Sequence, residues 1–355
     1  MSKNAREWGT KEKKDRTEKP PRIKADPGVG AAAEPCLVCR KRCMGFLEHP
    51  WRKCCGNCGC SRSEHAVAQD MEDDLRLGDL LANSKHAHLT ASVRGGKPTG
   101  KTQQRIYKRN RVIVTKTMAA RKDPTFSAVT YEWAPPGVGH EMAVQFLNLL
   151  PEHWRPIAGT AGEVYRRKQL ARQLPAHDFE PRRCHDLSAD ERWGLEEHAQ
   201  RCIDAMSFAN VRLSGEHVSL ECQGAVGHDA AQQQQTCRKC GGALPADVPA
   251  VFVANFGETA AWHPACFVCS CCQELLVDLV LFWNEGRPLC GRHYSDRYFA
   301  RCPGCDELIV GKESIVAEGK VWHRKHFCCS ICDCALQEGY YRIQEGQMMC
   351  NDCWQ

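Results

Sequence analysis

The stretch "WHRKHFCCSIC", residues 322–332, decides the fold of this chain and contains an anomaly. Three cysteines and two histidines crowd into it, and His326 stands where the spacing of a metal motif calls for a thiolate. Upstream, "WHPACFVCSCC" at 262–272 has the same shape, placing Trp262 over Trp322, His263 over His323, Cys266 over His326 and Phe267 over Phe327. The anomaly is therefore in register. Extending outward, the first unit reads Cys237, Cys240, His263, Cys266, Cys269, Cys272, Cys290, His293, and the second reads Cys302, Cys305, His323, His326, Cys329, Cys332, Cys350, Cys353. Each unit is four pairs, and each pair is separated by two residues. A tight turn lets side chains i and i+3 meet one tetrahedral Zn²⁺, at about 2.3 Å for sulfur and about 2.0–2.1 Å for imidazole. Eight donors make two closed sites, with no coordination place for water or substrate, which marks the zinc as structural.

Cysteine is the informative residue throughout. The chain has 355 residues, enough for two or three domains, and 25 of them are cysteine, with 26% charged and 8% aromatic. The number is odd, and the opening "MSKNAREWGTKEKKDRTEKPPRIK" holds no apolar run fit for a signal peptide, so metal ligation is expected over a disulfide scaffold. The most apolar stretch, "ELLVDLVLFW" (274–283), contains Glu274 and Asp278 and is far short of the roughly 20 residues a membrane span needs. A soluble protein in a reducing compartment, without membrane association, is expected.

Charge is unevenly placed. Residues 1–24 carry nine Lys/Arg against four Asp/Glu, and 1–30 reads as a disordered basic tail. Arg94 to Lys122 holds ten Lys/Arg and no acid, including "RIYKRNR" (105–111). That run suits nucleic-acid contact or a nuclear import signal, but pairing with the acidic "DMEDDLRLGD" (70–79) is the favoured reading.

The paired pattern resembles the LIM domain, twice in succession, at 235–299 and 300–355. A RING arrangement also needs eight ligands but puts cysteine where His263 and His323 stand. The LIM resemblance groups Cys237, Cys240, His263 and Cys266 as one site, and Cys269, Cys272, Cys290 and His293 as the next. In the second repeat it groups Cys302, Cys305, His323 and His326, then Cys329, Cys332, Cys350 and Cys353. Four zinc ions are expected in the pair. Two thiolates with two neutral imidazoles cancel the charge of Zn²⁺, so His326 makes its site neutral. Cys328 falls on the apolar position of Val268 and reads as a small buried hydrophobe; Cys271 and Cys334 have no place in the pairing. The tryptophans and phenylalanines read as mini-core residues, and each unit is small enough to need metal for stability.

The N-terminal block "CLVCRKRCMGFLEHPWRKCCGNCGCSRSEH" (36–65) is a second cysteine-rich region, expected over 31–70. Cys36 with Cys39 and Cys55 with Cys58 form a zinc-ribbon-like set; Cys43, His49, Cys60 and His65 are left for a second site, and Cys54 is left over. One zinc is expected here, with a second left open.

Between the metal regions, Met142, Phe146, Leu147 and Leu150 recur at helical spacing until Pro151. Thr160 with Glu163 and Ser188 with Glu191 read as capping boxes, and Leu195, Ala199, Cys202, Ile203 and Met206 form a stripe that leaves His198 facing solvent. "GHDAAQQQQT" (227–236) reads as linker, placed at 220–234. The stretches "TYEWAPPG", "YRRKQLARQLPAHD" and "CHDLSADE" resemble the PET domain of the Prickle and testin family, here placed at 112–219. With two LIM units, the chain is most similar to the group of LIM and cysteine-rich domains proteins. The expected fold class is thus multidomain: small zinc-stabilised β-rich LIM modules in tandem, a mainly α-helical PET domain, and the cysteine-rich zinc region.

The resemblance implies binding without catalysis: protein partners, GATA-type transcription factors among them, a corepressor role, and residence in cytoplasm and nucleus. A cytoskeletal LIM adaptor is the alternative. No catalytic triad, carboxylate pair or phosphate loop is recognisable, so no enzyme is expected. The second half of each LIM unit has the ligand spacing of a GATA-type DNA-binding finger, but residues 273–289 and 333–349 each carry three acids and one arginine. Such a surface repels DNA, and no direct nucleic-acid binding is expected.

Overall fold

The computed structural model describes residues 35–39, 43–65, 70–93, 104–118, 125–215, 235–253, 260–311, 313–337, 340–344 and 346–354. The basic tail 1–30, Cys222, the linker 220–234 and part of the basic run lie outside the described residues.

After the cysteine-rich region comes α1 (Asp70–Ala82), which buries Leu77 and Leu81 against the hairpin of β1 (Thr90–Val93) and β2 (Gln104–Tyr107). The "RIYKRNR" run is folded here. Tyr107 is buried, and the Arg109 guanidinium, 5% exposed, pairs with Asp74 at 3.0 Å and Glu132 at 3.4 Å. Burial outweighs Arg109 and pushes the Asp74 carboxyl up to about 6. Pairing with the acidic segment, the favoured reading of this run, accounts for its central arginine.

A second hairpin, β3 (Val112–Met118) with β4 (Thr125–Tyr131), leads into α2 (His140–Asn148). The helix ends before Pro151, with Phe146, Leu147 and Leu150 buried as the spacing predicts. Next come α3 (Ala161–Gln173), the single turn α4 (Ala176–Phe179) and α5 (Ala189–Ala205). Ser188 and Glu191 cap α5 reciprocally; at α3, Thr160 accepts from Gly162 N, while Glu163 reaches Gly159 N instead of the cap residue. Strands β5 (Met206–Phe208) and β6 (Asn210–Leu213) follow. The expectation of a mainly helical region is corrected: two strands precede the helices and two follow, so the segment is mixed α and β.

Those last strands finish sheets that belong to the first LIM unit. β6 pairs with β7 (Pro249–Phe252), which pairs with β8 (Ala261–Trp262). β5 pairs with β9 (Val280–Asn284), which pairs with β10 (Arg287–Leu289) ahead of the short α6 (Gly291–Ser295). Covering both sheet edges satisfies backbone groups that an isolated module would leave open. One continuous core therefore runs from Leu77 through Phe146 and Met206 to Phe282 and Tyr294. Close approach depends on Gly291, where a Cβ would meet Gln173 O and Leu174 Cδ2 at 2.9 Å.

The second LIM unit is two hairpins, β11 (Ser314–Ala317) with β12 (Lys320–His323) and β13 (Tyr341–Gln344) with β14 (Gln347–Cys350), around small cores of its own. The repeat is visible bond by bond. Leu276 N donates to Phe267 O as Leu336 N does to Phe327 O, and Val268 bridges Leu275 as Cys328 bridges Ala335. Trp262 meets Phe267 edge-on at 5.6 Å and Trp322 meets Phe327 at 5.7 Å, the mini-core expected of them. Among the described residues no helix is long and apolar enough to cross a membrane.

Candidate metal centres

Zinc-knuckle turns bring the first LIM donors together. The donor atoms of Cys237, Cys240, His263 and Cys266 lie within 4.8 Å of one another, as do those of Cys269, Cys272, Cys290 and His293. His263 donates from Nε2 to Ala243 O at 3.1 Å, which leaves Nδ1, 3.4 Å from Cys240 Sγ, as its acceptor nitrogen. His293 Nδ1 lies 3.1 Å from Cys290 Sγ and 3.5 Å from Cys269 Sγ.

In the second unit Cys302, Cys305, His323 and His326 converge within the same limit. His323 Nδ1 is 3.4 Å from Cys305 Sγ, and the two imidazoles cross edge to face at 5.2 Å. His326 Nδ1 is buried and makes no hydrogen bond to a neighbour. A buried nitrogen without such a bond is costly unless it ligates, so the donor set fits a tetrahedral metal. Cys329, Cys332, Cys350 and Cys353 share one cluster, with Cys332 and Cys350 sulfurs 3.7 Å apart. Exposed Cys334 also sits there: burial, then hydrogen bonds to Cys332 and Cys350, push its thiol up. Spacing had put Cys334 outside the pairing. Its nearness comes from the turn at Asp333, whose φ of 55° swings the chain back. Cys328 is buried, donates to Lys325 O at 3.1 Å, and is not in the set of Cys302, Cys305, His323 and His326.

The N-terminal donors are sorted differently from the expected pairing. Cys36, Cys39, Cys58 and Cys60 converge, and Cys43, Cys55, Cys58 and His65 converge, so Cys55 and Cys58 share a set with Cys43 and His65 instead of with Cys36 and Cys39. His49 is in neither set. Its Nε2 faces Asp333 at 3.3 Å and its Nδ1 accepts from Arg52 N at 3.1 Å. The segment 49–53, "HPWRK", is a docking strip onto the second LIM unit. Trp51 stacks on His326, Arg52 pairs with Asp333 at 2.5 Å, and Lys53 pairs with Glu307 at 2.6 Å. Ligand spacing carries no signal for this role; the density of aromatic and basic residues in the strip is its only trace.

The first LIM unit faces the helices in the same way. Arg166 on α3 pairs with Asp278 at 2.5 Å, both buried, and just past the first unit Arg301 clamps Asp178 with two hydrogen bonds of 2.7–2.8 Å. Tyr165 and Gln169 both donate to Glu274. Two of the three acids in the interval 273–289 are therefore taken up internally, and in the other interval Asp333 is held by Arg52, which corrects the picture of free acidic surfaces. His198 is the clearest reversal. It is fully buried, with Nε2 3.1 Å from Ser295 Oγ and 3.3 Å from Cys202 Sγ, because the face of α5 expected to meet solvent is covered by α6. Cys202 itself is core, and burial pushes its thiol up to about 12.

A PET-domain family profile matches residues 112–212, and a LIM-domain profile matches 237–298 and 302–355. The chain belongs to the PET and LIM protein family. It is 40% identical over 346 residues to LIM and cysteine-rich domains protein 1 of Bos taurus, covering 91% of this chain and 92% of that protein. With the human protein of that name the identity is 40% over 337 residues, covering 90% and 91%. Testin of Gallus gallus is also 40% identical, over 349 residues, covering 93% of this chain and 80% of testin. Zinc binding through clustered cysteine and histidine, in the LIM units and the N-terminal region, is thus a property of this PET and LIM chain, and LIM modules serve protein–protein interaction.

Proposed function

We propose that this PET and LIM protein is a transcription cofactor that binds GATA-type, basic zinc-finger factors and restricts their access to DNA without occupying DNA itself. One observation carries the reading. The finger-like interval of the first LIM unit is sealed: Leu276, Val277, Leu279, Leu281 and Phe282 are buried under the PET helices and strands. A DNA-binding finger must present that interval to phosphates. Here it is spent on intramolecular packing. Binding capacity rests on what stays open, including Val316, Ile331 and Tyr340 of the second LIM unit, each at least 60% exposed. Assignment of the sixteen LIM cysteines and histidines as ligands of four zinc ions belongs to the same proposal. So does a non-enzymatic role, since such sites leave no open coordination place. Movement between cytoplasm and nucleus is part of it too, though "RIYKRNR", with Arg109 folded away, is not a free import peptide.

A gel-shift experiment tests the reading. The purified protein alone should shift no DNA at physiological salt, and added to a GATA-type factor on its site it should diminish the shifted band without a slower one appearing. A sequence-specific shift by the protein alone would make it a DNA binder. No effect on the factor would favour a cytoskeletal adaptor.

A further inference from the structure

We propose that residues 36–65 hold a two-metal cluster in which the Cys58 thiolate bridges both ions. The two N-terminal donor sets contain seven residues, and Cys58 is in both. Two tetrahedra have eight corners, so seven donors close them only when one is counted twice. A thiolate sulfur has lone pairs enough for two metals, whereas an imidazole nitrogen has one, and the shared residue is a cysteine.

Local geometry agrees. Cys39 and Cys60 sulfurs are 3.3 Å apart, Cys43 and Cys55 sulfurs 3.8 Å apart, and His65 Nε2 lies 3.5 Å from Cys43 and 3.6 Å from Cys58. Bond lengths of about 2.3 Å at the tetrahedral angle place sulfurs just under 4 Å apart around one zinc. His65, 3% exposed, directs Nδ1 at Ser61 O at 2.9 Å; that bond puts the proton on Nδ1 and aims the Nε2 lone pair into the cluster. The loop 55–60 is closed by Cys55 N donating to Cys60 O at 2.8 Å and Gly59 N to Cys55 O at 2.7 Å, which curls Cys55, Cys58 and Cys60 around one centre. Cys54, next in sequence, belongs to neither set.

Packing points the same way. The core of this module is Cys36, Cys43 and Cys55 with Cys39, Cys58, Cys60 and a single aromatic ring, Phe46. So little apolar volume cannot hold thirty residues in place, and metal must supply the folding free energy. Six thiolates, one neutral imidazole and two Zn²⁺ sum to −2. Backbone amides reach the sulfurs from outside, Cys39 N to Cys36 at 3.2 Å and Leu47 N to Cys55 at 3.4 Å.

Cadmium-113 substitution of the full-length protein tests the bridge. Beside the resonances of the LIM sites, the expected spectrum has two cadmium resonances scalar-coupled to each other through the shared sulfur, both altered by Cys58→Ser, while Cys36→Ser and His65→Ala each remove one of that pair. Native mass spectrometry of the zinc protein should show Cys36→Ser one ion below wild type. A spectrum without any mutually coupled pair, or a single N-terminal resonance with Cys58→Ser costing only one ion, would overturn the proposal. The coupling is read on the wild-type chain, so a variant that fails to fold does not decide the outcome.

Discussion

Trp51 lies flat on His326, ring centroids 4.5 Å apart and planes 3° from parallel. The residue that breaks the cysteine pattern of the LIM repeat is therefore also the one on which the N-terminal module rests. Gly304 makes room, since a Cβ there would meet His326 O at 2.9 Å and the Trp51 ring at 3.3 Å. Arg52 sits 4.2 Å from the indole centroid on its way to Asp333. A cysteine at 326 would still complete a tetrahedron but would offer no ring.

His326→Cys should accordingly keep the zinc count of the full chain while loosening the N-terminal module, and Trp51→Ala should do the same. The stack is worth about 0.5–1.5 kcal/mol beyond area burial. Hydrogen exchange over residues 43–65 and 322–332 should rise in both variants, and the double variant should add little to either. Strict additivity would show that the two rings do not act together.

Asp278→Asn should cost about 3–5 kcal/mol in urea unfolding, because it leaves the Arg166 guanidinium buried without its charge partner. Asparagine tolerates the left-handed backbone at 278, where φ is 52°, so the loss would report charge and not strain. Adding Arg166→Met should recover part of it. A double variant no more stable than the single one would place the penalty elsewhere.

His198 gives the PET–LIM contact a pH dependence. Burial lowers its pKa from the ordinary value of 6.5, so the folded state binds fewer protons than the unfolded one. Stability from this group is complete above about pH 6.5 and is lost as pH falls below it, by at most about 1.4 kcal/mol per pH unit for one proton. Unfolding free energies at pH 7.5 and 6.0 should fall further for the wild type than for His198→Gln. Equal losses would mean that His198 is not the group responsible.

Residues 235–355 expressed alone should bind four zinc ions yet self-associate, because removal of the PET strands uncovers Val280, Leu281 and Phe282 and two sheet edges. Light scattering under reducing conditions reads the mass. A clean monomer would show that the first LIM unit closes its own core.

Ligand spacing made the two LIM repeats legible, since a tetrahedral site demands donor pairs at i and i+3 and that demand is written locally. His326 could be placed in register for the same reason, as could the capping of α5 and the burial of Cys328 and Cys202. What the sequence could not decide was who covers whom. His198 looks solvent-facing on an isolated α5, and Asp278 and Glu274 look like free acids on an isolated LIM unit; each is claimed by a residue about a hundred positions away. The choice among seven N-terminal cysteines was likewise tertiary, because a loop closed between Cys55 and Cys60 can present Cys58 to both sides while His49 turns outward to Asp333. Local chemistry fixes which residues can bind metal. Burial and charge pairing are sums over distant segments, and they take their values only once the chain has packed.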